Sequence, residues 1–343
     1  MLKLYHTSVK TKYYIKGIRK MRVKTITENK IPMIEAENAL GLRASFCKIG
    51  ASIYAIYLNN ELMTLTPKTF LDFANKDIYY GKTIGGIANR VKNGKVDING
   101  QEYQLLLNEG ENALHGGVNG LSRCIFSSKV NIGKSYFSII FTFKKKKMFD
   151  GLPGNITYYI SYGMTDQSND LIIDFKAITS DETVVALTNH TYFTLGDEDI
   201  SKLHLQIPAS KYVEPNHVDL IPEEEKEVTR VLDFRKKKLL IKDINDKSIQ
   251  ESKTLGYDHH FIFDNHDQPI ILENKRFRLE ITTDFTGCQI YTDNYADGIQ
   301  MKNTTMVNHR GVAIEPQDNP LERKVLEKRQ TYHRHIIYSF RKV

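Results

Sequence analysis

Phe277-Arg278-Leu279-Glu280-Ile281-Thr282 alternates apolar and polar side chains with a period of two, the pattern of a strand with one face in a core and the other in water. The same alternation places Leu203, Leu205 and Ile207 against His204 and Gln206, and Phe137, Ile139, Phe141 and Phe143 line one face of another run. Residues 155–164 and 171–178 are rich in β-formers and bounded by Gly, Asn, Asp or Ser, which marks them as further strands. Only residues 68–74 and 321–329 offer short helical patterns. Without helices between strands there is nothing to build the crossovers of a parallel sheet. The expected fold is all-β, a large antiparallel β-sandwich.

A chain of 343 residues can be one large β domain. No linker-like tract or fixed-period repeat divides it, so a single domain over 21–343 is expected. Residues 1–20 stand apart: Lys3, Lys10, Lys12, Lys16, Arg19 and Lys20 occur there with no acidic residue, and they account for all but one unit of the net charge of +7. This basic extension is read as a disordered arm or the product of an upstream start. With the body nearly neutral, the charge does not point to a nucleic-acid partner. The Lys144–Lys147 run reads as a solvated loop, and Arg235–Lys238 as answered by Glu223, Glu224 and Glu225. No apolar run approaches the ~20 residues of a membrane span, and the first 20 residues lack the core of a secretory signal. Cys47, Cys124 and Cys288 are odd in number and far apart, which fits a reducing cytoplasm better than a disulfide framework.

The chemistry must come from short polar clusters. The histidines and cysteines have no metal-ligand spacing in a suitable context, so no metal is expected, and no Gly-x-Ser-x-Gly elbow, phosphate loop or dinucleotide fingerprint is present. Four clusters remain: Gly85–Arg90 with Leu114–Gly117, Thr188–Phe193, Gly256–His259, and Ile314–Gln317. Their His, carboxylate, amide and aromatic side chains suit an uncharged, hydroxyl-rich ligand.

The order and spacing of these clusters resemble aldose 1-epimerases of the galactose mutarotase type over residues 33–340. The motifs are Gly85-Gly86-Ile87-Ala88-Asn89-Arg90, Leu114-His115-Gly116-Gly117, Asn189-His190-Thr191-Tyr192-Phe193-Thr194-Leu195, Gly256-Tyr257-Asp258-His259 and Glu315-Pro316-Gln317. Three positions depart from the family pattern: Gly86 stands for an arginine, Thr194 for an asparagine and Phe126 for a tryptophan. The resemblance implies a cofactor-free enzyme acting on a small aldohexose such as galactose or glucose, with His190 and Glu315 catalytic and Asn89, Arg90, His115, Asp258 and Gln317 binding the sugar.

Exchanging anomers requires one proton to leave the anomeric hydroxyl and another to reach the ring oxygen. From ordinary pKa values of about 4.3 and 6.5, Glu315 is expected ionised as the base and His190 as the proton donor, on opposite sides of the pyranose. Two rivals share the motif set: a non-catalytic carbohydrate-binding protein on the same fold, and an epimerase of phosphorylated hexoses, which would need further Arg or Lys converging on the phosphate. Oligomeric state leaves no mark in the sequence.

Overall fold

The computed structural model describes residues 20–343 apart from 29–30, 76, 296–297 and 305–307. The expected extension at 1–20 therefore lies, except for Lys20, outside the described residues.

The alternating segments form strands as expected. The largest sheet has nine strands in the order Ser127–Ile132, Tyr136–Lys145, Ile156–Thr165, Asp170–Thr179, Thr331–Lys342, Phe277–Thr283, Ile270–Glu273, His204–Gln206 and Lys238–Leu239, antiparallel throughout. A six-stranded antiparallel sheet runs Tyr192–Phe193, Val312–Gln317, Gly287–Tyr291, Asp258–Ile262, Lys211–Pro215 and Pro222–Glu227. A third sheet of five strands spans Arg22–Glu28 to Glu61–Leu62. One continuous apolar core joins them. Phe46 of the five-stranded sheet stacks on Phe137 and tilts against Tyr162 of the nine-stranded one, with ring centroids 5.6 and 4.9 Å apart. Phe193 of the six-stranded sheet meets Tyr338 edge-on at 5.2 Å. Such pairs add to area burial and fix the sheets face to face, the sandwich that the alternation implied.

The short helix expected at 68–74 is present as Phe70–Ala74, capped by the Thr69 hydroxyl, which accepts from the Asp72 amide. Residues 321–329 are not helical. The Asn319 side chain accepts from the Leu321 amide, its carbonyl accepts from Glu322, and Val325–Leu326 pairs with Thr183–Val184. Turn bonds and a strand partner take the donors that a helix would have used.

Two readings of charge are corrected. Lys145 closes a strand instead of lying in a solvated loop, and its Nζ sits 2.6 Å from Asp150 with both side chains almost fully buried. Arg235, Lys237 and Lys238 pair with Asp233, Glu273 and Asp243, not with Glu223–Glu225: Asp233 and Asp243 are nearer in sequence than those glutamates, and Glu273 belongs to a strand of the large sheet. The Lys145–Asp150 pair lies beside Gly86. A Cβ on Gly86 would stand 3.2 Å from both Asp150 Oδ2 and the Tyr158 hydroxyl. The departure from arginine thus lies directly beside a carboxylate whose countercharge is Lys145.

Candidate active site

The six-stranded sheet sorts its side chains by parity. Phe193, Val312, Ile314, Ile290, Cys288 and Phe261 are buried in the core. The other face carries two adjacent rows set by register: Tyr192, Ala313, Tyr291 and Asp258, then Glu315, Gln289 and His260. Tyr192, Tyr291, Asp258, Glu315 and Gln289 line a cavity of about 160 Å³, closed by Tyr79, Asn89, Arg90, Leu114, His115, His190 and Tyr295.

Two loops deliver the residues that the sheet cannot. Arg90–Val91 pairs with Ala113–Leu114, bringing Arg90 beside His115. The turn after His115 requires glycine: a Cβ on Gly116 would meet the Gly85 carbonyl oxygen at 2.3 Å and one on Gly117 the Leu106 oxygen at 1.9 Å, both at positive φ. The Asn89 amide donates to His115 Nδ1 at 3.2 Å, so the neutral ring carries its proton on Nε2. His190 follows the Thr188–Asn189 strand and is held by its own amide on the Lys82 carbonyl and by the Gly81 amide on its carbonyl. Its ring stacks with Tyr192 and Tyr79 at 4.8 and 5.7 Å.

His190 Nε2 lies 3.3 Å from Glu315 Oε1, so the two groups stand side by side rather than facing each other across a ring. The anomeric hydroxyl and the ring oxygen are bonded to the same carbon, and adjacent groups can reach both. Glu315 Oε2 is buried and has no protein partner, which leaves it free for a ligand hydroxyl. Burial, with Asp258 adding and Arg90 opposing, raises the Glu315 carboxyl well above its ordinary value. Burial pushes His190 down to about 3. Burial, then His190 and Arg90, holds His115 well below the usual histidine range. The Glu315 and His190 shifts run the same way: burial disfavours the charged form of the carboxyl group and of the imidazole alike. These directions run against the ordinary pKa values from which the charged pair was expected, because a dry site disfavours an ionised pair.

Arg90 is already committed. Its Nε and Nη2 hold Glu109 at 2.9 and 3.2 Å, and Nη1 reaches Asp258 at 3.5 Å. Burial works against its charge, but Asp258 and Glu109 outweigh it and raise its pKa. Asp258 Oδ1 accepts from Gln289 at 2.6 Å, and Gln289 accepts from Asn89 at 3.0 Å. A chain Glu109–Arg90–Asp258–Gln289–Asn89 thus fixes the polar wall. The donor atoms of His115, His190 and Glu315 lie within 4.8 Å of one another. Two imidazoles and a carboxylate are also the ligand set of many zinc sites.

Six of the seven candidate residues, His190, Glu315, Asn89, Arg90, His115 and Asp258, line one cavity. Gln317 does not: it shares the face of Glu315 but is fully buried, with its Nε2 unpartnered. Sequence reasoning missed Glu109, Gln289 and the tyrosines at 79, 291 and 295. Only Tyr192 carried a signal, inside its motif.

A family model described as aldose 1-epimerase matches residues 32–335. Galactose mutarotase of Sus scrofa is 30% identical over 261 residues, 73% of each chain. Aldose 1-epimerase of Haemophilus influenzae is 28% identical, covering 84% of this chain and 86% of its own. Among solved structures, galactose 1-epimerase from Lactobacillus acidophilus superposes with a TM-score of 0.85 at 24% identity, covering 94% of this chain and 99% of the other. An aldose epimerase homologue from C. elegans gives 0.77 at 26% identity, with 91% and 99% covered.

Proposed function

The chain belongs to the aldose 1-epimerase family, isomerases that interconvert the α and β anomers of hexoses, and from that premise we propose that Glu315 and His190 exchange one proton with a single aldohexose held in the 160 Å³ cavity. The observation that carries this reading is the 3.3 Å contact between an imidazole and a carboxyl group on a wall otherwise made of hydroxyl-binding groups. Glu315 takes the proton of the anomeric hydroxyl in its ionised form, and protonated His190 delivers one to the ring oxygen. The sugar's hydroxyls stabilise this charged form of the pair relative to the empty site. The carbonyl end then rotates, and the roles reverse on closure. The sugar's other hydroxyls fall to Asn89, Arg90, His115 and Asp258, whose mutual bonds hold them in place. Arg90 is the one guanidinium or ammonium in the lining among the described residues, and Glu109 and Asp258 already engage it. This favours a free hexose over a phosphorylated one. Polarimetry of freshly dissolved α-galactose and α-glucose tests the reading: purified protein should speed the approach to equilibrium, and an unchanged rate with both sugars would leave only a binding protein.

The shared proton sets the pH dependence. The competent form carries one proton on the pair, lost upward through the raised Glu315 carboxyl and joined by a second only as His190 titrates near 3. The acid limb of kcat/KM should therefore fall near 3 and the basic limb above the ordinary carboxylate range, with both limbs belonging to the pair jointly. A narrow optimum between the ordinary carboxylate and histidine values would contradict the burial argument.

Asp258→Asn removes the charged acceptor from Gln289 and Arg90. Because hydrogen bonds to charged groups contribute about 1.5–3 kcal/mol, KM should rise roughly tenfold or more with a smaller fall in kcat. Initial rates across a range of sugar concentrations separate the two, and an unchanged KM would remove Asp258 from sugar binding.

A further inference from the structure

A second cavity, of about 250 Å³, shares no lining residue with the proposed sugar site. The two are neighbours through one stretch of backbone: Ala88 faces the larger cavity, while Asn89 and Arg90 line the smaller. The larger one is built around arginines. Arg334 is matched by both oxygens of Asp318 at 3.2 Å. Arg323 is not matched: its Nη2 donates to the Arg90 carbonyl at 2.7 Å, its Nε is buried with no acceptor, and no carboxylate among the described residues forms an ion pair with it. Lys324 and Glu322 are exposed at the rim.

We propose that this cavity is a binding site for a small phosphate-bearing anion, held by Arg323 and communicating with the sugar site through the Arg90 backbone. Arg323 is half-buried with its Nε fully enclosed, and a guanidinium withdrawn from water without a countercharge is costly. A phosphate would supply both the charge and acceptors for the open edge of the fork, the geometry at which arginine excels. Burial lowers the Arg323 pKa to about 10, and no carboxylate opposes the shift. The cavity lies below the ~300–1,000 Å³ of drug-sized sites, so the anion is inorganic phosphate or a small monoester.

Binding needs no sugar, so it is tested apart from the anomer reading. Thermal unfolding followed against inorganic phosphate, with chloride at matched ionic strength as control, should show a saturable rise in Tm for the wild type. Glu315→Gln should keep that rise, because the sugar cavity is not involved. Arg323→Gln should weaken phosphate binding at least tenfold, and Lys324→Glu, an exposed change that threatens no packing, should weaken it several-fold. Glycerol 3-phosphate binding more tightly than phosphate would identify a monoester site, and the reverse a free-phosphate site. Polarimetry should show phosphate shifting the sugar KM of the wild type but not of Arg323→Gln. No saturable rise, a rise surviving both Arg323→Gln and Lys324→Glu, or a rise lost in Glu315→Gln would overturn the site. Saturable binding with an unchanged KM would overturn the communication.

Discussion

Glu315→Gln should lower kcat by about 10²-fold or more while leaving the protein folded and sugar affinity within a few-fold. The amide keeps the size and hydrogen bonding of the carboxyl group but cannot exchange a proton. His190→Asn should do the same, since it keeps a polar donor in place of an imidazole that stands 3.3 Å from Glu315 and cycles its charge. Because the two groups hold one proton between them, the double variant should be little slower than the worse single, the non-additivity expected of residues acting as a unit. Polarimetric rates on variants shown to be folded decide the matter. If both singles still equilibrate galactose anomers within a factor of about two of wild type, the proton exchange is misassigned and a binding role becomes the better account.

The second large effect concerns stability. Lys145 and Asp150 are buried at 1% and 3% side-chain exposure, 2.6 Å apart. The lysine also donates to the Leu152 carbonyl, and Asp150 accepts from the Leu152 amide. Burial lowers the Lys145 pKa, with Asp150 opposing the shift. Lys145→Met leaves a carboxylate in a dry site with no cation, a change that costs about 3–5 kcal/mol. At the usual unfolding entropy per residue this is a fall in Tm of about 4–7 °C. The Gly86 position opens onto the same carboxylate. Adding Gly86→Arg to Lys145→Met should therefore recover part of the loss, although Gly86→Arg alone, with Lys145 still present, should not stabilise. Calorimetry on the three variants checks this, and failure of the arginine to recover any stability would mean that Gly86 and Lys145 are unrelated departures.

What the sequence made legible follows from what short-range pattern can encode. Alternation in segments such as 277–282 and 137–143 reports a buried and a wet face directly, and the strands are there. The motif residues His190, Glu315, Asp258 and Arg90 met in one cavity because their positions in the chain were tied to a fold. Gln289 was illegible: it faces Glu315 only through the register between two strands, and nothing in residues 287–291 announces that partner. Tyr79, Tyr291 and Tyr295 could not be told from the remainder of the 19 tyrosines. Gln317 misled for the opposite reason, since motif adjacency and strand parity both point at the cavity, yet two residues along a strand carry it beyond the wall. The directions in which Glu315 and His190 shift were also out of reach, because burial decides them.

The strand Thr331–Lys342 lies between Asp170–Thr179 and Phe277–Thr283, and this placement bears on how the protein is made. At about 5–20 residues per second, the ribosome finishes that strand on the order of 8–30 s after its neighbour ending at Thr179. During that interval Asp170–Thr179 and, later, Phe277–Thr283 each present an open edge to their surroundings, the kind of edge that recruits other chains. The halves of the large sheet are joined by pairings distant in sequence, which also form slowly. Nascent chains should thus depend most on holding chaperones between emergence of the fourth strand of that sheet and arrival of its last, so stalling translation anywhere from 180 to 330 should yield aggregates rather than a smaller folded unit.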